Sequence, residues 1–289
     1  MNQSQVLFLS LIMLLVHQCL GAQYIDDNYN NSQNNISAQM LWNTNVSLFP
    51  LYCQEVVSKF SALTNGLGFP AHLKEEGARK TDQDFDVNQY FTVLDRLSME
   101  PGYVLDYVYY EGGVGGEPVL YARMADQPAY RDYNELSKDR SIGSPLSEDE
   151  YLNHVRADES PESFFQLYVL QMLGGQFYLS WHANYDDYRI VCNSSEAELY
   201  LPDVSSASGA SSSTPISEAV AKAHRMDFNP VVEMNDSAVR VNAVAFTNWG
   251  GFILKSITFK REFPHEVLNM DSNVLVRYDC GINYSVVNL

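Results

Sequence analysis

Basic side chains are scarce in this 289-residue chain: 18 Lys and Arg face 36 Asp and Glu, for a formal net charge of −18. That deficit argues against nucleic acid and anionic membrane surfaces as partners, since both require a cationic face to displace their counterions. Cysteine is also sparse, with four in all. No Cys-x-x-Cys pair occurs and the histidines show no ligand spacing, so no structural zinc site is expected. His265-Glu266 begins like a zincin helix, but Asn269 stands where the second histidine belongs. There is no G-x-S-x-G elbow for a serine nucleophile, and the GGVGG run at 112–116 lacks the Lys and Ser/Thr of a phosphate loop. No apolar run approaches the roughly 18 residues of a membrane span, and no internal repeat is found. No cofactor is expected, and the chain leans away from catalysis.

What is present at the N-terminus is an apolar core from Val6 to Val16, followed by the small residues Gly21 and Ala22. Such a run is too short to span a bilayer but suits a secretory leader, so residues 1–21 are expected to be a signal peptide cleaved after Gly21. Six Asn-x-Ser sequons agree with that address: Asn30, Asn35, Asn45, Asn193, Asn235 and Asn283. About 267 mature residues suffice for one sizeable core without a dense disulfide framework. The three cysteines beyond the leader are Cys53, Cys192 and Cys280. Cys192 and Cys280 each close a strand-like run (YRIVC and VRYDC), so they are expected to pair. Cys53, near a helix start, lies in a field that could lower a thiol pKa, but a buried or bridged cysteine is the expected reading there rather than a reactive thiol.

Residues 22–48 are polar and read as a disordered tail, leaving 49–289 as a single domain. Apolar spacing predicts helices over Pro50–Leu63 and over Val87–Met99, the latter capped by Asp86. YVLDYVYY and EPVLYAR flank the GGVGG tip as a hairpin, and 124–160 reads as a surface excursion. Ser160, Pro161 and Glu162 then punctuate a helix at 161–173 that is apolar nearly all round and hence buried. QFYLSWH and YRIVC form an expected strand pair around ANYDD. A Ser-rich flexible loop at 204–214 and a short helix at 216–224 lead to three closing strands, in SAVRVNAVAF, GGFILKSITFKREF and NVLVRYDCGINYSV. The fold class implied is α+β: a mainly antiparallel sheet packed on a few helices, including the buried one near 161–173.

Charge is uneven along the chain. Residues 82–159 hold 17 acids and 6 bases, a net of −11, whereas 237–261 holds Arg240, Lys255, Lys260 and Arg261 and no acid. Within the acidic stretch, Asp82, Asp84 and Asp86 alternate as in calcium loops, but Val87 and Val93 occupy the positions where an EF-hand needs Gly and Glu. Ser180, His182, Asp186 and Asp187 supply the residue types of a hydrolase triad without any oxyanion feature. Several of the 19 tyrosines fall in strands, where a curved sheet would turn them toward a small-ligand cavity. The reading that fits most of these features is a secreted acidic glycoprotein. It would be a non-catalytic matrix or interaction component, with extracellular protein partners and at most weak binding of divalent cations. A tyrosine-lined binding module is the alternative, and a hydrolase built on His182 comes third.

Overall fold

A computed structural model of the chain describes residues 42–75, 79–112, 115–140, 150–181, 188–207, 221–222, 224–247 and 251–276. In chain order, the first elements are β1 (Thr44–Ser47), α1 (Pro50–Thr64) and a 3-10 turn at Ala71–Lys74. A second 3-10 turn at Val87–Gln89 runs into α2 (Tyr90–Val93), followed by β2 (Leu97–Met99) and the strands β3 (Tyr103–Gly112) and β4 (Gly115–Met124). Next come α3 (Tyr133–Arg140), a 3-10 turn at Glu150–His154, β5 (Val155–Ala157) and α4 (Pro161–Leu173). The remainder comprises β6 (Ser180–Trp181), β7 (Arg189–Ile190), α5 (Ser194–Ala207), β8 (Val231–Met234), β9 (Ala238–Thr247), β10 (Gly251–Lys260) and β11 (Val267–Val276). The arrangement is α+β with antiparallel sheets, as the sequence led us to expect.

Helix α4 organises the core, and its start is specified residue by residue. The Ser163 amide donates to Ser160 Oγ at 3.1 Å, while Pro161 takes a first-turn position whose missing N–H costs nothing. At the other end a Cβ on Gly174 would lie 2.4 Å from the Leu170 carbonyl oxygen, so only glycine fits. The Gly174 carbonyl accepts the buried Tyr90 hydroxyl at 2.8 Å. Phe164, Phe165, Leu167, Tyr168, Val169 and Leu170 are all buried, which requires apolar neighbours on every side. Strands β8 and β9 and the small β2–β5 sheet supply them. Gln166 is a buried polar residue of this helix, and it is fully bonded. Its Nε2 donates to Asp95 Oδ1 at 2.9 Å and to the Tyr52 hydroxyl at 3.2 Å, and its Oε1 accepts from the Arg96 amide at 2.9 Å.

The main sheet runs β1-β8-β9-β10-β11, with β7 pairing the far end of β9 beyond β8. Val232, Val241 and Ile257 are cross-strand neighbours on the face that meets α4. On the opposite face, Val244, Phe246 and Phe252 pack with Ala197 and Tyr200 of α5 and with Phe228. His265 joins this sheet to β5: its Nε2 accepts from the Ala157 amide at 3.2 Å, and its Nδ1 faces the Lys260 carbonyl at 3.2 Å.

Several expectations are corrected. Residues 44–47, assigned to the polar tail, form β1, because their backbone pairs with β8 in register Thr44 to Met234. The helix expected over 87–99 is a 3-10 turn and one α-turn, with Leu97–Met99 extended. Asp86 does cap it, but Asn88 exchanges two hydrogen bonds with the Leu105 backbone and docks the segment on β3. The strands expected around ANYDD do not pair with each other: β6 joins β4, and β7 joins β9. Residues 204–207, expected as loop, are the last turn of α5, while 208–214 and most of the 216–224 helix lie outside the described residues. The excursion at 124–160 contains α3 and buries Tyr151 and Leu152.

The disulfide is the largest correction. Cys53 bonds Cys192, with Cα atoms 5.6 Å apart and both residues buried. Cys192 is therefore spent, and the expected Cys192–Cys280 bridge does not form; Cys280 lies outside the described residues. The physical reason is that the chain leaves β7 at Ile190 and turns into α5, so Cys192 faces helix α1. There Cys53 shares a buried stripe with Val56 and Phe60. A bonded Cys53 has no thiol for the helix dipole to activate.

Candidate functional site

The β3–β4 hairpin gathers most of the polar chemistry, because strand alternation separates its side chains into two sets. Leu105 and Tyr107 point into the main core, while Val108 and Tyr121 pack under α3 with Leu136. Asp106, on the α3 side, is almost fully buried and must be paired to remain ionised. Lys80 Nζ bonds its Oδ1, Arg123 Nε donates to its Oδ2 at 2.9 Å, and the Tyr107 amide donates to Oδ1 at 2.9 Å. Burial pushes the Asp106 pKa up, yet Lys80 and Arg123 outweigh it and hold the carboxyl below its usual range. Arg123 also donates to the Gln127 carbonyl at 2.7 Å, which fixes the chain leaving β4.

On the other face of the hairpin lies an aromatic group. Tyr107 meets Phe177 edge-on at 5.0 Å, and Phe69 meets Tyr109 and Tyr178 at 5.4 and 6.0 Å. The Tyr109 hydroxyl donates to the Tyr178 carbonyl at 2.9 Å, and the Tyr178 hydroxyl accepts from the Phe85 amide at 3.3 Å. These contacts hold Tyr178 at φ 53, a left-handed conformation that costs a non-glycine residue about 1–3 kcal/mol. Burial pushes the Tyr109 hydroxyl up to about 12. The Tyr107 hydroxyl is buried without a hydrogen-bond partner among the described residues. Glycine is required at 116, where a Cβ would lie 2.4 Å from the Tyr109 hydroxyl. The strand tyrosines at 107, 109 and 121 thus pack as core rings.

Beside this group His72 Nε2 lies 3.0 Å from Asp84 Oδ2, which also accepts from the Thr81 amide at 2.6 Å and the Thr81 hydroxyl at 3.0 Å. The Asp84 side chain is 4 % exposed and the His72 side chain 39 %, so a shielded carboxylate orients a half-open imidazole. No hydroxyl or thiol nucleophile bonds His72 among the described residues. Of the expected triad types, Ser180 is described and its Oγ accepts from the Gly116 amide at 2.9 Å; His182, Asp186 and Asp187 lie outside the described residues. Of the alternating aspartates, Asp84 faces His72 and Asp86 caps the turn, so they do not converge. Among the described residues no three His, Cys, Asp or Glu side chains are placed to hold a metal ion.

The sequons fall in three local settings. Asn45 is exposed on β1. Asn193 Oδ1 accepts from the Glu196 amide at 3.0 Å and so caps α5. Asn235 Oδ1 shapes the β8–β9 turn by accepting from the amides of Ser237 and Ala238 at 2.9 and 2.8 Å. Asn30, Asn35 and Asn283 lie outside the described residues. The cations of 237–261 are each engaged. Arg240 pairs with Glu233 at 2.5 Å, Lys260 with Glu266 at 3.9 Å, Arg261 donates to the Asn235 carbonyl at 2.9 Å, and Lys255 lies 4.7 Å from the Tyr188 ring centre.

The ion cluster at Asp106, the His72–Asp84 pair and the Cys53–Cys192 bond were not found by sequence reasoning. Each joins residues between 12 and 139 positions apart with no motif between them. No described helix is long and apolar enough to cross a membrane. No protein-family model, curated protein or solved structure matches the chain.

Proposed function

We propose that this protein is a secreted acidic glycoprotein that acts by non-covalent association, as a matrix or interaction component outside the cell. The observation that carries the reading is the buried disulfide between Cys53 and Cys192, a bond at home in oxidising compartments. The expected leader and the exposed Asn45 sequon point the same way. The association role rests on charge. Asp82, Asp86, Asp95, Glu111 and Asp126 are exposed, while Lys80, Arg96, Arg123 and Arg131 are each drawn to a carboxylate. The uncompensated surface is therefore anionic and suits cationic protein segments or divalent ions.

The test is expression of the full chain, leader included, in a secreting eukaryotic cell, followed by fractionation and thiol labelling under non-reducing conditions. The expected result is extracellular protein with Cys53 and Cys192 protected from alkylation, part of it released from the insoluble matrix by salt or chelator. Protein confined to the cytosol with both cysteines alkylated overturns the reading.

A further inference from the structure

The sheet face turned away from α4 carries a polar row at its β1 edge. Asn45 sits opposite Glu233, and Glu233 opposite Arg240; directly paired residues share a face, so all three project outward. Their neighbours Val46, Val232 and Val241 take the core side. Arg240 is drawn to Glu233, with Nε 2.6 Å from Oε2, and its guanidinium lies 4.9 Å from the ring centre of half-buried Trp42. Asn242 Nδ2 donates to the same Glu233 oxygen at 3.0 Å, and Ser256 Oγ donates to Asn242 Oδ1 at 2.7 Å. An indole, a guanidinium, a carboxylate and an amide thus lie side by side on the outer sheet face, running inward from the β1 edge. That combination offers a sugar an apolar platform for its C–H face and partners for its hydroxyl and acetamide groups.

Asn45 differs from the other described sequon asparagines. Asn193 and Asn235 commit Oδ1 to backbone amides, whereas the Asn45 side chain is exposed and makes no hydrogen bond among the described residues. β1 also ends the sheet among the described strands, so its outer edge would template pairing with another strand unless something bulky blocked it.

We infer that Asn45 carries an N-linked glycan whose first sugars fold back over Trp42, Arg240 and Glu233 and cover this edge of the sheet. The inference rests on the secretory reading above. In the linking step C1 of the first N-acetylglucosamine leaves the pyrophosphate of a lipid-linked oligosaccharide donor and bonds Asn45 Nδ2. The amide gives up one proton, and the lipid pyrophosphate departs with the electron pair of the broken bond. Strand spacing of about 4.8 Å places Glu233 one strand from the attachment point and Arg240 two. The row therefore begins beside the first sugar and runs inward under those that follow.

The experiment uses the full chain secreted from eukaryotic cells. Site-resolved mass spectrometry reads occupancy, and native peptide N-glycosidase then removes glycans while conversion of Asn45 to Asp is timed. Asn45 is expected to be occupied, with Trp42→Ala releasing its glycan about 3- to 10-fold faster than wild type, the span that loss of one aromatic stacking contact gives. Trp42→Phe, which keeps a ring, should stay near the wild-type rate and separates a lost platform from a damaged fold. An empty Asn45 beside occupied sequons elsewhere, or equal release from wild type and Trp42→Ala, overturns this inference and leaves secretion standing. A chain with no glycan at any sequon that never leaves the cytosol overturns both.

Discussion

Asp106 shows how a single buried charge can hold a hairpin to its surroundings. Its carboxylate answers Lys80 from outside the hairpin and Arg123 from the paired strand. Removing it leaves two cations facing each other, although both are about a quarter exposed and can recover some water. Asp106→Ala should therefore cost about 3 kcal/mol, the low end for breaking a buried pair, measured by urea unfolding. A loss under about 1 kcal/mol would mean that the cluster is solvated and contributes little. His265 works in the opposite sense. Burial depresses its pKa below 6.5, and its Nε2 accepts from the Ala157 amide, which it can do only while unprotonated. Above about pH 6.5 the imidazole is neutral in both folded and unfolded chains. As pH falls below that value, the unfolded chain takes up the proton first, so stability drops until the lower folded pKa is reached. His265→Gln should flatten the pH dependence of stability between about pH 6.5 and 5. An unchanged slope would assign that acid sensitivity to other groups.

At the scale of elements, what the sequence made legible was local. The α4 helix could be read from Ser160, Pro161 and Gly174 because caps act through their own backbone within one turn. The β3–β4 hairpin was visible for the same reason: β-formers flank glycines at a tip. β1 was missed because TNVS has no apolar alternation and takes its partners from β8, nearly 190 positions away. The Cys53–Cys192 bond was hidden by the same kind of distance, and its energetic role follows from it. Closing a loop with a sequence separation of 139 removes about 4–5 kcal/mol of unfolded-chain entropy in the loop-closure picture. Cys53→Ala with Cys192→Ala should lower stability by that order, whereas loss of Cys280 should leave this bond intact. Denaturant midpoints of the two proteins, with and without reductant, make the check. Reductant should shift the protein lacking Cys280 and leave the double-alanine protein unmoved if Cys53–Cys192 is the stabilising bond.

For the whole molecule the decisive quantity is a net charge of −18, which repels itself in the folded state more than in the expanded one. Opposing it are attractive pairs that also respond to salt, so the sign of the net effect depends on which are exposed. The Lys80–Asp106–Arg123 cluster is largely shielded, and Lys59–Glu55, Arg131–Glu135 and Arg96–Asp158 are surface pairs of small individual worth. Raising ionic strength from 0.01 to 0.15 M shortens the Debye length from about 30 to about 8 Å. That removes repulsion between distant carboxylates while leaving contacts of 3 Å mostly intact. The melting temperature at pH 7 should therefore rise over this range, and association with a cationic partner should weaken over the same range. Measured together, the two trends test one surface. A melting temperature that falls with salt would show that ion pairs outweigh the like-charge field, and it would remove the basis for treating the anionic surface as available for binding.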